Sequence, residues 1–253
     1  MGSEMCIRVS YRTQSGGKAS QEEEYLYLTM MILIISLFMS ISPPISFVSD
    51  SVAGERERKT LECLLVAPAT RGEILASKLI ASLVLSLAAS GASTLGAFLM
   101  YLLMFSGMLG EGVKLPVTLD LIAIFGLTIF LTVMVTVSIA LLISCLADSI
   151  RGAHSNSVGI SLASSFIMFA ALYGDLERLD PPLKALVYMV PYTHSVLILS
   201  KYLKEGVFGI IPHTVILLAF IGLMTYLSYR VFRSERILYG KRVRGRKKLL
   251  RKD

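Results

Sequence analysis

The chain has 253 residues and a net charge of +7, and 54% of its residues are hydrophobic while only 17% are charged. A soluble domain carries about 25% charged residues, and a chain of this length cannot cover several long apolar helices with polar surface. These values exclude an ordinary soluble domain and predict an all-α, polytopic helical membrane protein.

Five blocks with little or no charge predict about five transmembrane helices, because a bilayer core about 30 Å thick needs about 20 apolar residues in helical form. The blocks cover residues 26–48, 77–105, 121–146, 156–174 and 208–230. Residues 1–25 are polar and lack the basic start of a secretory signal peptide. With five spans we expect residues 1–25 to be external, residues 26–232 to form the transmembrane domain and residues 233–253 to form a cytoplasmic tail.

The charged segment 49–76 follows the first block and is the most informative part of the sequence. Leu61, Leu64 and Leu65 have the spacing of one helical face, and pairs of opposite charge stand four residues apart. The pairs are Glu55 with Lys59 and Arg58 with Glu62. The pattern predicts a short amphipathic helix, which either rests on lipid headgroups or docks in a groove of a soluble partner. The narrow leucine face and the dense charges of both signs favour the groove.

A second helix is expected directly after this segment. Pro68 ends the first helix, because proline cannot donate the next helical hydrogen bond. Thr70 and Glu73 then match a capping box, in which each side chain accepts the backbone N–H of the other residue. We therefore predict a new helix that starts there and runs straight into the second span.

The third span carries Thr128, Thr132 and Thr136 at four-residue spacing. Such a stripe could line a substrate path. Threonines inside helices also donate to the carbonyl four residues back, and stripes of this kind more often serve helix–helix packing. Both interpretations stay open at the level of sequence.

Residues 175–207 contain an apolar stretch at 185–200 that could be a sixth span. The five-span and the six-span topology place the same number of Lys and Arg on the cytoplasmic side, so the positive-inside rule does not decide between them. The break at Pro191, followed by Thr193 and His194, argues against a continuous span, since irregular backbone at membrane depth survives only inside protein or beside water. We predict two short, partly re-entrant helices around Pro191.

The chain after residue 230 is rich in Lys and Arg, which predicts a cytoplasmic C-terminus. Basic residues beside a membrane attract anionic lipid, and we expect this role rather than nucleic-acid binding. No Walker motif occurs, and His154, His194 and His213 stand apart in sequence. We therefore expect no ATP site, no metal, no cofactor and no catalytic residue in this chain. A membrane-embedded enzyme or assembly factor acting on lipid is the alternative, but it would need ionisable groups in the spans, which carry almost none.

Residues 55–79 read ERERKTLECLLVAPATRGEILASKL. This run resembles the signature of permease subunits of type-2 ABC exporters, which have a charged stretch, Thr-Leu-Glu-x-Leu-Leu, a Pro, then Arg-x-Glu-Ile-Leu and a Lys. Two weaker matches are the Pro-x-Thr-His element at 191–194 and the exit from the last span at 231–235. The resemblance covers roughly residues 26–240.

The resemblance implies a permease that moves cargo outward by alternating access, as a homodimer or heterodimer, driven by a separate ATP-binding subunit. It implies that residues 55–65 form the coupling helix that seats in a cleft of that subunit. The residues expected to dock are Glu55, Arg56, Glu57, Arg58, Lys59, Thr60, Leu61, Glu62, Leu64 and Leu65. Members of this family usually have six spans, and the first of them has no counterpart here. We expect a short form, a truncated permease, or a helix supplied by a separate polypeptide.

Overall fold

The computed structural model describes residues 30–60, 69–106, 119–173 and 180–233, and every regular element in these ranges is a helix. Within these ranges, and apart from the single helical residue Thr60 beside the gap at 61–68, seven helices follow one another. They are α1 Met30–Glu57, α2 Arg71–Ser106, α3 Leu119–Leu146, α4 Ile150–Tyr173, α5 Pro181–Met189, α6 Pro191–Glu205 and α7 Val207–Arg233.

Four of the described helices are long and apolar enough to cross a membrane: α1, α2, α3 and α7. The pair α5 and α6 is bent by 96° and would make a fifth crossing if it counts as one broken span. Helix α4 covers the fourth predicted span and has 24 residues, but polar residues occupy its first turns. The predicted all-α polytopic fold is confirmed.

Helix α1 is longer than predicted. We expected the first span to give way to a loop at residue 49, but the helix continues to Glu57 through a π-helical turn, Asp50–Gly54. Val52, Ala53 and Gly54 of this turn are buried, and buried backbone must keep its hydrogen bonds. A Cβ on Gly54 would lie 3.3 Å from Ile150 Cδ1. The missing side chain therefore lets the turn pack against the start of α4, so the chain stays helical.

The predicted capping box at the start of α2 is confirmed. The backbone N–H of Thr70 donates to Glu73 Oε2 at 2.8 Å, and the backbone N–H of Glu73 donates to Thr70 Oγ1 at 3.3 Å. Two N–H groups that the first helical turn leaves without partners are satisfied in this way. The cap sets the point at which the chain enters the second span.

The predicted break at Pro191 is also confirmed. Val190 separates α5 from α6 and has extended backbone angles, φ −82° and ψ 122°, because a following proline disfavours the helical region. Pro191 takes the first position of α6, where its missing N–H is not needed. Gly206 ends α6 with φ 72°, a conformation that glycine adopts freely, and the chain turns there into α7.

Helix α3 is the centre of the bundle and contacts α2, α4, α6 and α7. Two apolar clusters surround it. The first contains Ile34 and Ile41 of α1, Leu131 and Val135 of α3, Tyr192 and Ile198 of α6, and Leu217 of α7. The second contains Val48 and Val52 of α1, Ile74 of α2, Val137, Leu141 and Cys145 of α3, and Phe232 of α7. The sites described next lie beside these two clusters.

Candidate functional site

The ends of five helices meet on one side of the bundle, beside the second apolar cluster. We call this region the charged end, and it comprises residues 50–60, 70–78, 146–151 and 230–233. It includes the described part of the predicted coupling helix, residues 55–60. Its contacts run between the end of α1 and the other helices.

Arg56 joins α1 to the turn between α3 and α4. Its Nη1 donates to the carbonyl oxygen of Ala147 at 2.8 Å, and its Nη2 lies 3.4 Å from Asp148 Oδ1. Only 15% of the Arg56 side chain is exposed, whereas Asp148 is more than half exposed. The guanidinium group is planar and carries several donors in fixed directions, so it can hold the carbonyl and the carboxylate together.

Glu57 reaches the start of α4. Its Oε2 accepts the backbone N–H of Ile150, the first residue of α4, at 2.8 Å. The hydroxyl of Ser149 accepts the N–H of Gly152 at 3.1 Å. A negative charge is favourable at a helix N-terminus, where N–H groups lack helical partners. Helix α4 is thus capped in part by a residue from another helix.

Lys78 joins α2 to the same segment. Its side chain is only 8% exposed, and its Nζ forms an ion pair with Glu55 and donates to the carbonyl oxygen of Ser51 at 2.8 Å. The predicted pair of Glu55 with Lys59 is therefore wrong. Helix α1 continues through Glu55 and brings it against α2, while Lys59 has a left-handed φ of 60° just after the helix ends.

The remaining described residues of the segment, Arg58, Lys59 and Thr60, are exposed. Arg58 pairs with Asp50 of the same helix at 3.1 Å, where we had expected Glu62. The expected docking residues Leu61, Glu62, Leu64 and Leu65 lie outside the described residues. Within the described part, residues 55–57 form the last turn of α1, a turn follows at residues 58–59, and the chain is helical again at Thr60. The predicted amphipathic helix therefore stays a prediction.

The threonine stripe of α3 lies in a second polar region, which we call the hydroxyl network. Thr128, Thr132 and Thr136 are fully buried, and each donates to the carbonyl four residues earlier at 2.7–2.9 Å. The hydroxyls of Thr132 and Ser195 are hydrogen-bonded at 2.9 Å, and those of Thr136 and Tyr192 at 3.0 Å. This is a packing arrangement between α3 and α6.

His194 and His213 form a buried pair, although they are far apart in sequence. Their Nδ1 atoms lie 3.0 Å apart, and His194 Nε2 lies 2.9 Å from the carbonyl oxygen of Tyr188. A carbonyl only accepts, so the neutral His194 carries its proton on Nε2 and accepts at Nδ1 from His213. In the part of the chain that the structure describes, no group of three His, Cys, Asp or Glu side chains could hold a metal ion.

The family of the chain follows from comparison with known proteins. The family model described as "ABC-2 family transporter protein" matches residues 7–235, a range that includes both the charged end and the hydroxyl network. The chain belongs to this family. It is a permease, the membrane subunit of an ABC transporter, and such a subunit is not itself catalytic. No curated protein matches the chain.

The structure shows contacts that the sequence of this ABC-2 permease does not indicate. Asp148 and Ile150 contact residues 55–60, and Ser195 contacts the threonine stripe. Lys78 had one signal, since it is the lysine of the family signature. The others lie 63 to 93 residues from their partners, and no local pattern connects them. Of the predicted break residues, Thr193 and His194 lie fully inside the bundle beside Pro191.

Proposed function

We propose that this permease exports its cargo by alternating access and is driven by a separate ATP-binding subunit that docks on residues 55–65. The observation that carries the proposal is the division of the described segment into two parts. Glu55, Arg56 and Glu57 hold other helices, and Arg58, Lys59 and Thr60 face outward. A partner that grips the outward part is thereby connected to the membrane helices.

The position of the outward part favours a protein partner over lipid. Helix α1 extends nine residues beyond the predicted end of the first span, which is about 13 Å at 1.5 Å per residue. About 63% of the Arg58 side chain is exposed, and Arg58 forms an ion pair with the acidic Asp50. Residues with both signs of charge suit the polar groove of a soluble subunit.

The sidedness of the chain belongs to the same proposal. Helix α7 ends at the charged end with Arg230 and Arg233 in its last turn, and Arg71 of α2 donates to the carbonyl oxygen of Arg233 at 2.7 Å. Basic residues favour the cytoplasmic side. The charged end, the docked subunit and the C-terminal tail would then share the cytoplasm, where the tail meets anionic lipid.

A path for cargo would form between two permease copies, as a homodimer or a heterodimer. A lining role for Thr128, Thr132 and Thr136 remains a prediction. These hydroxyls are buried and two of them bond to α6, so they would reach cargo only in a state in which α6 moves away from α3. The cargo itself is unassigned.

The test is co-purification with an ATP-binding subunit encoded nearby. The double variant Glu62→Ala and Leu64→Asp should lose the complex, because it removes one charge and one apolar contact from the expected docking face. A matched control is Asp120→Ala with Leu119→Asp, which makes the same changes at exposed positions where α3 begins. Survival of the complex in the first variant would show that residues 55–65 do not dock the subunit.

A further inference from the structure

Two neighbouring side chains of α1 hold the chain between α3 and α4 at three points. Arg56 binds the carbonyl of Ala147 and the carboxylate of Asp148, and Glu57 binds the N–H of Ile150. All three points fall within four consecutive residues. Two of them are backbone groups, so the contacts hold the chain itself and not only flexible side chains.

These contacts are well suited to carry a displacement. Arg56 is mostly buried and uses two nitrogens of one planar group, which restricts its orientation. Hydrogen bonds that involve a charged partner are shorter and stronger than neutral ones. Beneath them, Gly54 lies close to Ile150, since a Cβ added at Gly54 would be 3.3 Å from Ile150 Cδ1. Movement of the last turn of α1 would therefore press directly on the start of α4.

The neighbouring ionic contacts of the segment have other targets. Glu55 pairs with Lys78 of α2, and Arg58 pairs with Asp50 of α1 itself. Among the described contacts, Arg56 and Glu57 are thus the side chains of residues 55–60 that connect the segment to α3 and α4. The resemblance counts both residues among those expected to dock, but their contacts run to the bundle. Arg56 is 15% exposed, and Glu57 is exposed while its Oε2 accepts the N–H of Ile150.

We propose that Arg56 and Glu57 are positioning residues that transmit movement of the docked segment to α3 and α4 and contribute little to docking. This inference rests on the proposed function, because it needs a partner that moves the segment. It divides the coupling segment into a docking part and a transmitting part, which mutations can separate.

The experiment uses the complex of permease and ATP-binding subunit in lipid nanodiscs, with spin labels at the exposed positions Ala76 of α2 and Asn156 of α4, in a background without the native cysteines. Two quantities are measured: the dissociation constant of the subunit, and the change in label distance on trapping with ATP and vanadate. In the variant Arg56→Ala with Glu57→Ala, the dissociation constant should be unchanged. The fraction of complexes with displaced α4 should fall by about fivefold or more, the range of typical coupling between sites.

Conservative variants separate transmission from simple loss of structure. Arg56→Lys keeps the charge but cannot reach both partners as a fork, and Glu57→Gln keeps an oxygen that accepts the N–H of Ile150. In each of these two variants, the fraction of complexes with displaced α4 should be higher than in the double alanine variant. Arg151→Ala removes a positive charge from the same surface of α4 and should behave as the unmodified chain.

Each result is decisive. If the double alanine variant binds the subunit and α4 moves as in the unmodified complex, the inference is wrong while the proposed function stands. If the variant loses binding while its thermal unfolding is unchanged, Arg56 and Glu57 are docking residues and the inference is also wrong. If the unmodified chain binds no ATP-binding subunit, the proposed function fails and the inference fails with it.

Discussion

The charged end and the hydroxyl network both hold helices together, but they use different chemistry in different surroundings. At the charged end, ionised side chains of α1 and α2 bind carboxylates and backbone groups near exposed helix ends. In the hydroxyl network, neutral groups of α3 and α6 bind one another at positions that are fully buried. Exposed groups of the first region, such as Asp148 and Arg58, can exchange their partners with water and ions, and those of the second cannot.

The difference assigns the two regions separate tasks. Ionised groups near water change partners at modest cost, because water and salt screen their attraction. A buried hydroxyl has no such substitute and is costly to leave without a partner. The charged end is therefore suited to respond to a soluble subunit, and the hydroxyl network is suited to keep α6 seated against α3.

The largest expected effect concerns Tyr192, which is fully buried between α3 and α6. Tyr192→Ala should lower the free energy of unfolding by about 3–5 kcal/mol, as for other large aromatic side chains removed from a core. Tyr192→Phe removes only the hydroxyl, which bonds to Thr136, and should cost about 0.6 and at most about 1.7 kcal/mol. Unfolding in mixed lipid–detergent micelles measures both. Equal losses would mean that the hydroxyl dominates and that packing around α6 is loose.

A smaller loss of unfolding free energy is expected for Lys78→Ala. Lys78 is the most buried charged side chain among the ion pairs of the charged end. Removing one partner of a fully buried ion pair costs about 3–5 kcal/mol. Glu55 is about one-third exposed, so water can solvate it in part, and we expect Lys78→Ala to cost about 2 kcal/mol on the scale of that principle. The double variant Lys78→Ala with Glu55→Ala should cost less than the sum of the two single variants. Additive losses would show that the two side chains do not interact.

The smallest expected effect is a difference in how salt changes the coupling energies of the two regions. The coupling energy between Thr132→Val and Ser195→Ala should be about 0.6 kcal/mol, typical of hydrogen bonds between membrane helices, and independent of salt. The coupling between Arg56→Ala and Asp148→Ala should be about 0.2–1 kcal/mol. It should shrink between about 0.1 M and about 1 M salt, as the Debye length falls from about 10 Å to about 3 Å. Double-mutant cycles at both salt concentrations measure this. Equal salt dependence would remove the distinction between the two regions.

Much of the fold could be predicted from sequence because the relevant signals are local. Uncharged blocks marked the helices, Pro191 marked the break between α5 and α6, and Thr70 with Glu73 marked the start of α2. Each signal acts within a few residues, so the neighbouring side chains are enough to determine where the helix begins or breaks. The end of α1 was misplaced because Gly54 looks like a loop residue until α4 is present to pack against it.

The partners within the two polar regions could not be predicted in the same way. The stripe of Thr128, Thr132 and Thr136 was visible, but its contact with α6 depends on how α6 enters the bundle. Glu55 had a plausible partner four residues away and another, Lys78, on the next helix. Glu55 pairs with Lys78 because α1 packs against α2. The spacing of residues in the sequence gives no information about that packing. His194 and His213 meet for the same reason.

The π-helical turn Asp50–Gly54 makes the charged end depend on chain length as well as on chemistry. Successive residues of an α-helix are rotated by about 100° around its axis, and a π-turn accommodates one extra residue without ending the helix. Loss of one residue from this turn would therefore leave an ordinary α-helix in which Arg56 and Glu57 still face the chain at 147–150, whereas a further inserted residue would swing them by about a quarter of a revolution. Natural variation in this turn should therefore take the form of losing its extra residue more often than of gaining another.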